Sequence, residues 1–171
     1  MGWTACPDTV GTIRYDTTSY ALCADVVFAP SGIHMESTRA ALKKDIHVAS
    51  QSIHSADGLG AYTGEVTAPM LKEAGIEWTL VGHSERRNIF GETDADVAAK
   101  TAVALKHGIK AIVCVGETLE QREAGDTSKV VGAQVEAFLP SVSEEHWKDV
   151  VIAYEPVWAI GTGKTASAEQ A

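Results

Sequence analysis

Short apolar runs alternate along this chain with longer stretches whose apolar positions recur at helical spacing. Runs at residues 26–29, 46–50, 76–81, 109–115 and 150–154 are rich in Val, Ile, Leu and Ala with few polar interruptions. Continuous runs of this kind read as strands buried on both faces of a parallel sheet. Between them, Ser31 is placed to cap a helix reaching about residue 44. Thr67 is placed to cap a shorter helix, with Pro69 in its first turn and Gly75 just past its end. Thr93-Asp94-Ala95-Asp96 opens a helix that Gly108 closes. A helix over 127–139 carries Val131, Val135 and Phe138 on one face, and Pro140 stops it.

Strands that alternate with helices predict an α/β fold whose parallel strands are joined by right-handed crossovers. Two closures satisfy that pattern: an open doubly wound sheet, which five strands would suit, or part of a (β/α)8 barrel. A complete barrel needs roughly 250 residues, so the 171 here would form about two-thirds of one. Residues 165–171 read as the first turn of a further helix. Residues 1–24 break the alternation and form an atypical N-terminal segment, leaving 25–171 as the α/β domain.

Composition narrows the partners. With 45% hydrophobic and 22% charged residues the chain is an ordinary globular sequence, and its net charge is −9. A nucleic acid or an anionic membrane surface requires a basic face, so neither is expected. A small anionic substrate stays open, because backbone donors and helix N-termini can bind it. No apolar stretch approaches 18 residues, and the N-terminus lacks the basic and apolar regions of a secretory signal. The expected compartment is the cytoplasm. Cys6, Cys23 and Cys114 form no Cys-x-x-Cys pair, which fits free thiols, and Cys114 sits in an apolar run as a core residue.

The candidate chemistry lies at strand exits. Glu155 follows the run 150–154 directly, ahead of Pro156 and the glycine-rich stretch Gly161-Thr162-Gly163-Lys164. Gly82-His83-Ser84-Glu85-Arg86-Arg87 follows the run 76–81 in the same way. A carboxylate and an imidazole at the ends of two parallel strands can face one pocket. The residues after His83 read as a helix N-terminus, whose partial positive charge disfavours an imidazolium. A neutral imidazole can then donate to a substrate oxygen. Arg86, Arg87 and Glu92 read as an ion-pair network bracing the turn. The Gly-Lys-Thr at 163–165 is no phosphate-binding P-loop, since Trp158 occupies the position of its first glycine. The match Gly161-x-Gly163-x-x-Ala166 starts too far past the strand for a dinucleotide fingerprint. A hinge for a lid is the reading left. The six histidines show no metal-ligand spacing, so no metal is expected.

Five runs carry a resemblance to a known family: Ala61-Tyr62-Thr63-Gly64-Glu65, Gly82 to Arg87, Gly91-Glu92-Thr93-Asp94, Val113-Cys114-Val115-Gly116-Glu117-Thr118, and Ala153 to Lys164. In order and near the expected spacing, they resemble triosephosphate isomerases. The resemblance implies a partial (β/α)8 barrel holding strands two to six of eight. It implies interconversion of dihydroxyacetone phosphate and D-glyceraldehyde 3-phosphate, a step of glycolysis and gluconeogenesis. Glu155 would be the base, His83 the neutral electrophile, residues 156–164 the lid, and the Gly161 backbone N–H a phosphate donor. No cofactor is implied. A homodimer is implied, with Tyr62-Thr63-Gly64-Glu65 in the loop that enters the neighbouring subunit. The family's first strand ends in Asn-x-Lys, and residues 1–24 contain neither Asn nor Lys. A fragment of this kind is expected to be inactive and poorly folded by itself. Two other readings stay open: a non-catalytic remnant that acts as a binding module, and a different phosphosugar enzyme on an open α/β sheet.

Overall fold

The computed structural model describes residues 25–160. Five strands, β1 (Val26–Phe28), β2 (Ile46–Ser50), β3 (Trp78–Val81), β4 (Lys110–Val115) and β5 (Val150–Tyr154), form one sheet in the order β1-β2-β3-β4-β5. Every neighbouring pair is parallel, from Val26 beside Ile46 to Val115 beside Tyr154. A doubly wound sheet reverses its strand order at a switch point. Here each new strand is added on the same side, the winding of a (β/α)8 barrel, and the sheet is the curled arc of a partial one.

Six helices accompany the strands: α1 (Met35–Ala41), α2 (Ala68–Glu73), α3 (Ser84–Asn88), α4 (Asp94–Lys106), α5 (Leu119–Glu123) and α6 (Thr127–Phe138). The core lies between the sheet and these helices. Val48, Leu71, Ile76, Val81, Val97, Ala104, Ile109, Val113, Val115 and Phe138 are all buried there. The stripe expected on α6 is the docking face, with Val131 and Val135 packed against this cluster and Phe138 inside it. Cys114 is buried, as its apolar run implied. Among the described residues no helix is long and apolar enough to cross a membrane.

Two strands begin later than the hydrophobic pattern predicts, for one reason. Gly75 and Gly108 adopt φ of 69° and 73°, and the residue after each closes the preceding helix. Ile76 N–H donates to the Leu71 carbonyl and Ile109 N–H to that of Ala104, each 2.9 Å away. This is the six-to-one bond of a Schellman cap, whose apolar residue packs back on the helix. Ile76 and Ile109 therefore fill the core as cap residues before their strands begin.

Helix starts divide in the same instructive way. Thr93 caps α4 with a full capping box, accepting from Asp96 N–H while the Asp96 carboxylate takes the Thr93 N–H. Thr67 occupies the N-cap position of α2 but makes no capping bond, and its buried hydroxyl has no partner. Ser31 does not cap α1 either. Its hydroxyl pairs with His34 Nδ1 at 2.7 Å, and a 3-10 turn, Gly32–His34, precedes the helix. That helix stops at Ala41, short of residue 44, because Leu42 is extended and Arg39 gathers the carbonyls of Leu42, Lys43 and Ile46.

β5 departs from its expected burial. Val151 and Ile152 are 46% and 45% exposed, although consecutive strand residues point to opposite faces. Among the described residues only β4 flanks this strand, so its far edge and part of each face remain bare.

Candidate active site

All strands run the same way, so their C-terminal ends share one rim. In barrels of this type that rim carries the chemistry. His83 lies two residues past β3, and Glu155 follows β5 at once. β4 stands between them and ends at Val115, with Gly116 directly after it. A side chain on residue 116 would close the gap: a Cβ there would lie 1.8 Å from the Glu155 carbonyl oxygen. Glycine lets β5 approach, and the Glu155 N–H completes the ladder by donating to the Val115 carbonyl at 2.7 Å.

The two side chains anticipated from strand exits stand together. His83 Nε2 is 3.4 Å from Glu155 Oε1, and the side chains are 13% and 12% exposed. The other carboxylate oxygen, Oε2, accepts from the Ser84 backbone N–H at 3.2 Å. His83 is the N-cap residue of α3, and its Nδ1 accepts the Glu85 backbone N–H at 3.3 Å. A nitrogen that accepts from an amide carries no proton itself, so the ring's proton resides on Nε2, the atom facing Glu155. Gly82, with φ of 72°, makes the bend that delivers His83 to the rim.

Behind the pair the turn is braced as expected. Arg86 bonds Glu92, its guanidinium 2.6 Å from the carboxylate, and Lys100 reaches the same oxygen. Arg87 pairs with Asp94 and not with Glu92. It also donates to the Gly82 carbonyl at 2.7 Å, which ties the His83 bend to the start of α4. Cys114 lies beneath Glu155. Burial, reinforced by the adjacent carboxylate, pushes its thiol far above the ordinary range. A cavity of about 330 Å³ opens on the Ser84 side of Glu155, walled also by Gly116, Thr118, Gln134 and Val157. His83 does not border it.

One cluster escaped the sequence reading. Glu117, two residues past β4, is completely buried. Tyr154 Oη donates to it, with both carboxylate oxygens 3.0 Å away; Arg122 donates at 3.0 Å and Trp158 Nε1 at 3.2 Å. Burial alone would raise its pKa. Its own backbone N–H and the Tyr154, Arg122 and Trp158 donors outweigh burial and hold the carboxyl below its usual range. Burial, and then the Glu117 bond, push the Tyr154 phenol up, so it stays a donor. The Arg122 guanidinium lies 4.6 Å over the Trp158 ring. Tyr154 and Trp158 bracket Glu155 in sequence, so Glu117 pins the backbone on both sides of it. A carboxylate just past a strand ordinarily reads as solvated; the signal here was two aromatic residues with polar tips flanking another carboxylate. Gly161 and residues 162–164 of the stretch read as a lid lie outside the described residues; residues 156–160 are described.

Comparison with known proteins shows what the chain is similar to. The family model described as triosephosphate isomerase matches residues 10–171. A triosephosphate isomerase of Emericella nidulans is 49% identical over 147 residues, 86% of this chain and 59% of that protein. One from Hydrogenovibrio crunogenus is 50% identical over 147 residues, 85% of this chain and 58% of that protein. One from Ralstonia nicotianae is 63% identical over 117 residues, 68% of this chain and 47% of that protein. The chain thus spans less than two-thirds of the length of these relatives. With five parallel strands in barrel order and a family match over nearly its whole length, the chain belongs to the triosephosphate isomerase family.

Proposed function

We propose that the chain carries the proton-transfer machinery for interconverting dihydroxyacetone phosphate and D-glyceraldehyde 3-phosphate. One observation supports this above the rest: a largely enclosed carboxylate lies 3.4 Å from His83 Nε2, while His83 Nδ1 accepts the Glu85 backbone N–H. Isomerisation of an α-hydroxy carbonyl needs a base at carbon and a donor at oxygen, and these two groups supply both. Glu155 removes the proton from the carbon beside the carbonyl. His83 Nε2–H stabilises the negative charge that develops on the oxygen of the enediolate. Glu155 then returns that proton to the neighbouring carbon, while a separate hydroxyl proton moves from one oxygen to the other through His83. Neither step requires an electron acceptor, so no organic cofactor enters the scheme.

In the bound state the Glu155 carboxylate leaves the Ser84 N–H and swings toward the substrate carbon. The Gly161 backbone N–H contributes to holding the phosphate, and Pro156 to Lys164 close over it, which excludes water from the enediolate. The active form is a homodimer in the cytoplasm, with the loop around Tyr62 in the subunit contact. Exposed Leu59 (69%) and Tyr62 (42%) on that loop support the contact. Residues 1–24 contain neither Asn nor Lys, so they supply no Asn-x-Lys contact to the phosphate.

The test is steady-state isomerisation of D-glyceraldehyde 3-phosphate by the purified chain, its Glu155→Gln variant and its His83→Gln variant. Turnover lost by at least about 100-fold in both variants is the expected result. Turnover that survives Glu155→Gln overturns the assignment. A folded chain that binds other proteins and turns over nothing returns the binding-module reading.

A further inference from the structure

We infer that Gln134 on α6 is a positioning residue for Glu155, acting through Gly116. This deepens the proposed function and rests on Glu155 being the base. Gln134 Oε1 accepts the Gly116 N–H at 2.8 Å, and Gln134 Nε2 donates to the Gly116 carbonyl at 3.1 Å. Both backbone polar groups of one residue thus go to a single side-chain amide, which imitates a neighbouring strand. A neutral primary amide offers a donor and an acceptor side by side, and its two bonds fix the backbone on either side of the Gly116 Cα.

What Gly116 then holds is the backbone of Glu155. Its Cα faces the Glu155 carbonyl so closely that no Cβ fits between them. Residue 115, its neighbour, accepts the Glu155 N–H at 2.7 Å, and residue 117, on its other side, binds Tyr154 and Trp158. Rotation of the Gly116 backbone would move all three supports of Glu155 together. Docking of α6 itself is supplied by Val131, Val135 and Phe138. Gln134 is therefore not required to hold the helix on the sheet, and its amide is free to act on the site. The Gln134 amide also lines the cavity beside Glu155. A displacement of about 1 Å at a catalytic group can cost about 100-fold in rate, so a residue acting through Gly116 can govern turnover here.

The test uses the whole chain and its Gln134→Met variant, which keeps the length and removes both hydrogen bonds. Two readings are taken: kcat and KM for triose phosphate, and the backbone amide resonances of Ser84 and Glu155. The expected result is a kcat lower by about ten-fold or more with KM within about two-fold, together with shifted Ser84 and Glu155 amides and unshifted amides in β2. A merely structural Gln134 predicts lower stability with kcat and both amides unmoved, and that result overturns the inference. Where the parent chain shows no turnover, the amides decide alone. Their movement supports the positioning role and places the failure on the isomerase reading, whereas unmoved amides overturn the positioning role too. If Gln134→Met does not fold, Gln134→Glu carries the same test. It keeps the acceptor for Gly116 N–H and replaces the donor with a carboxylate oxygen that faces the Gly116 carbonyl, and the same two amides must move.

Discussion

Gly116 and Glu155 meet backbone to backbone, with the Gly116 Cα set so close to the Glu155 carbonyl that a methyl group would fall 1.8 Å from its oxygen. The contact joins the exits of two neighbouring strands. It sets how far Glu155 protrudes beyond the rim, and hence its distance from His83.

Gly116→Ala tests that contact. The new methyl meets backbone, which cannot move aside as the end of a flexible side chain can. Overpacking of this kind costs about 1–3 kcal/mol or more. Urea unfolding should show a loss at or above the top of that range, and the Ser84 and Glu155 amide resonances should shift. Wild-type stability in Gly116→Ala would show that β5 has room to retreat.

Glu117→Gln should destabilise the fold by about 3 kcal/mol, because a buried acceptor of several donors loses its charge and presents N–H groups to other donors. The pH dependence has a defined sign. The folded carboxyl sits below its ordinary value of 4.5, so its contribution is complete above pH 4.5 and is lost as pH falls through the depressed folded value. Urea midpoints measured from pH 7 downward should show an acid limb in the parent chain that is shallower in Glu117→Gln. Equal limbs would mean that Glu117 is not the titrating group.

Cys114 should resist alkylation. Its thiol is buried and held far above the ordinary range by burial and by the Glu155 charge, and only a thiolate reacts. Iodoacetamide at pH 8, followed by peptide mapping, should leave Cys114 unmodified in the native chain and label it in urea. Rapid native labelling would contradict the packing beneath Glu155.

Much of the site was legible because its signals are local. A continuous apolar run ending in Glu155, and another ending before Gly82-His83, place both side chains on one rim once the strands are known to be parallel. Thr93 and Asp96 announce the start of α4 for the same reason, since a capping box lies within four residues. What stayed hidden depends on contacts between distant segments. Glu117 reads as a surface carboxylate until Tyr154 and Trp158, 37 and 41 residues away, fold onto it. Gln134 stands beside an apolar stripe on a helix, and nothing near it in sequence shows that its amide reaches Gly116. α5 was missed although Thr118 and Gln121 form a capping box. The helix is only five residues long, too short to show an apolar period. At 76 and 109 the sequence misleads differently, because an isoleucine that begins an apolar run belongs to the preceding helix's cap.

The central claim is that Glu155 moves a proton at substrate carbon, and the most direct measurement is exchange with solvent. Dihydroxyacetone phosphate incubated with the chain in D2O should gain deuterium at the carbon bearing the hydroxyl, read by proton NMR. The rate should fall by at least about 100-fold in Glu155→Gln and by a smaller factor in His83→Gln. This signal appears even when the enediolate returns to its starting ketone, so it reads proton abstraction without requiring complete turnover. Deuterium entering at the same rate with Glu155→Gln, or no deuterium with a folded, substrate-saturated parent chain, would contradict the account.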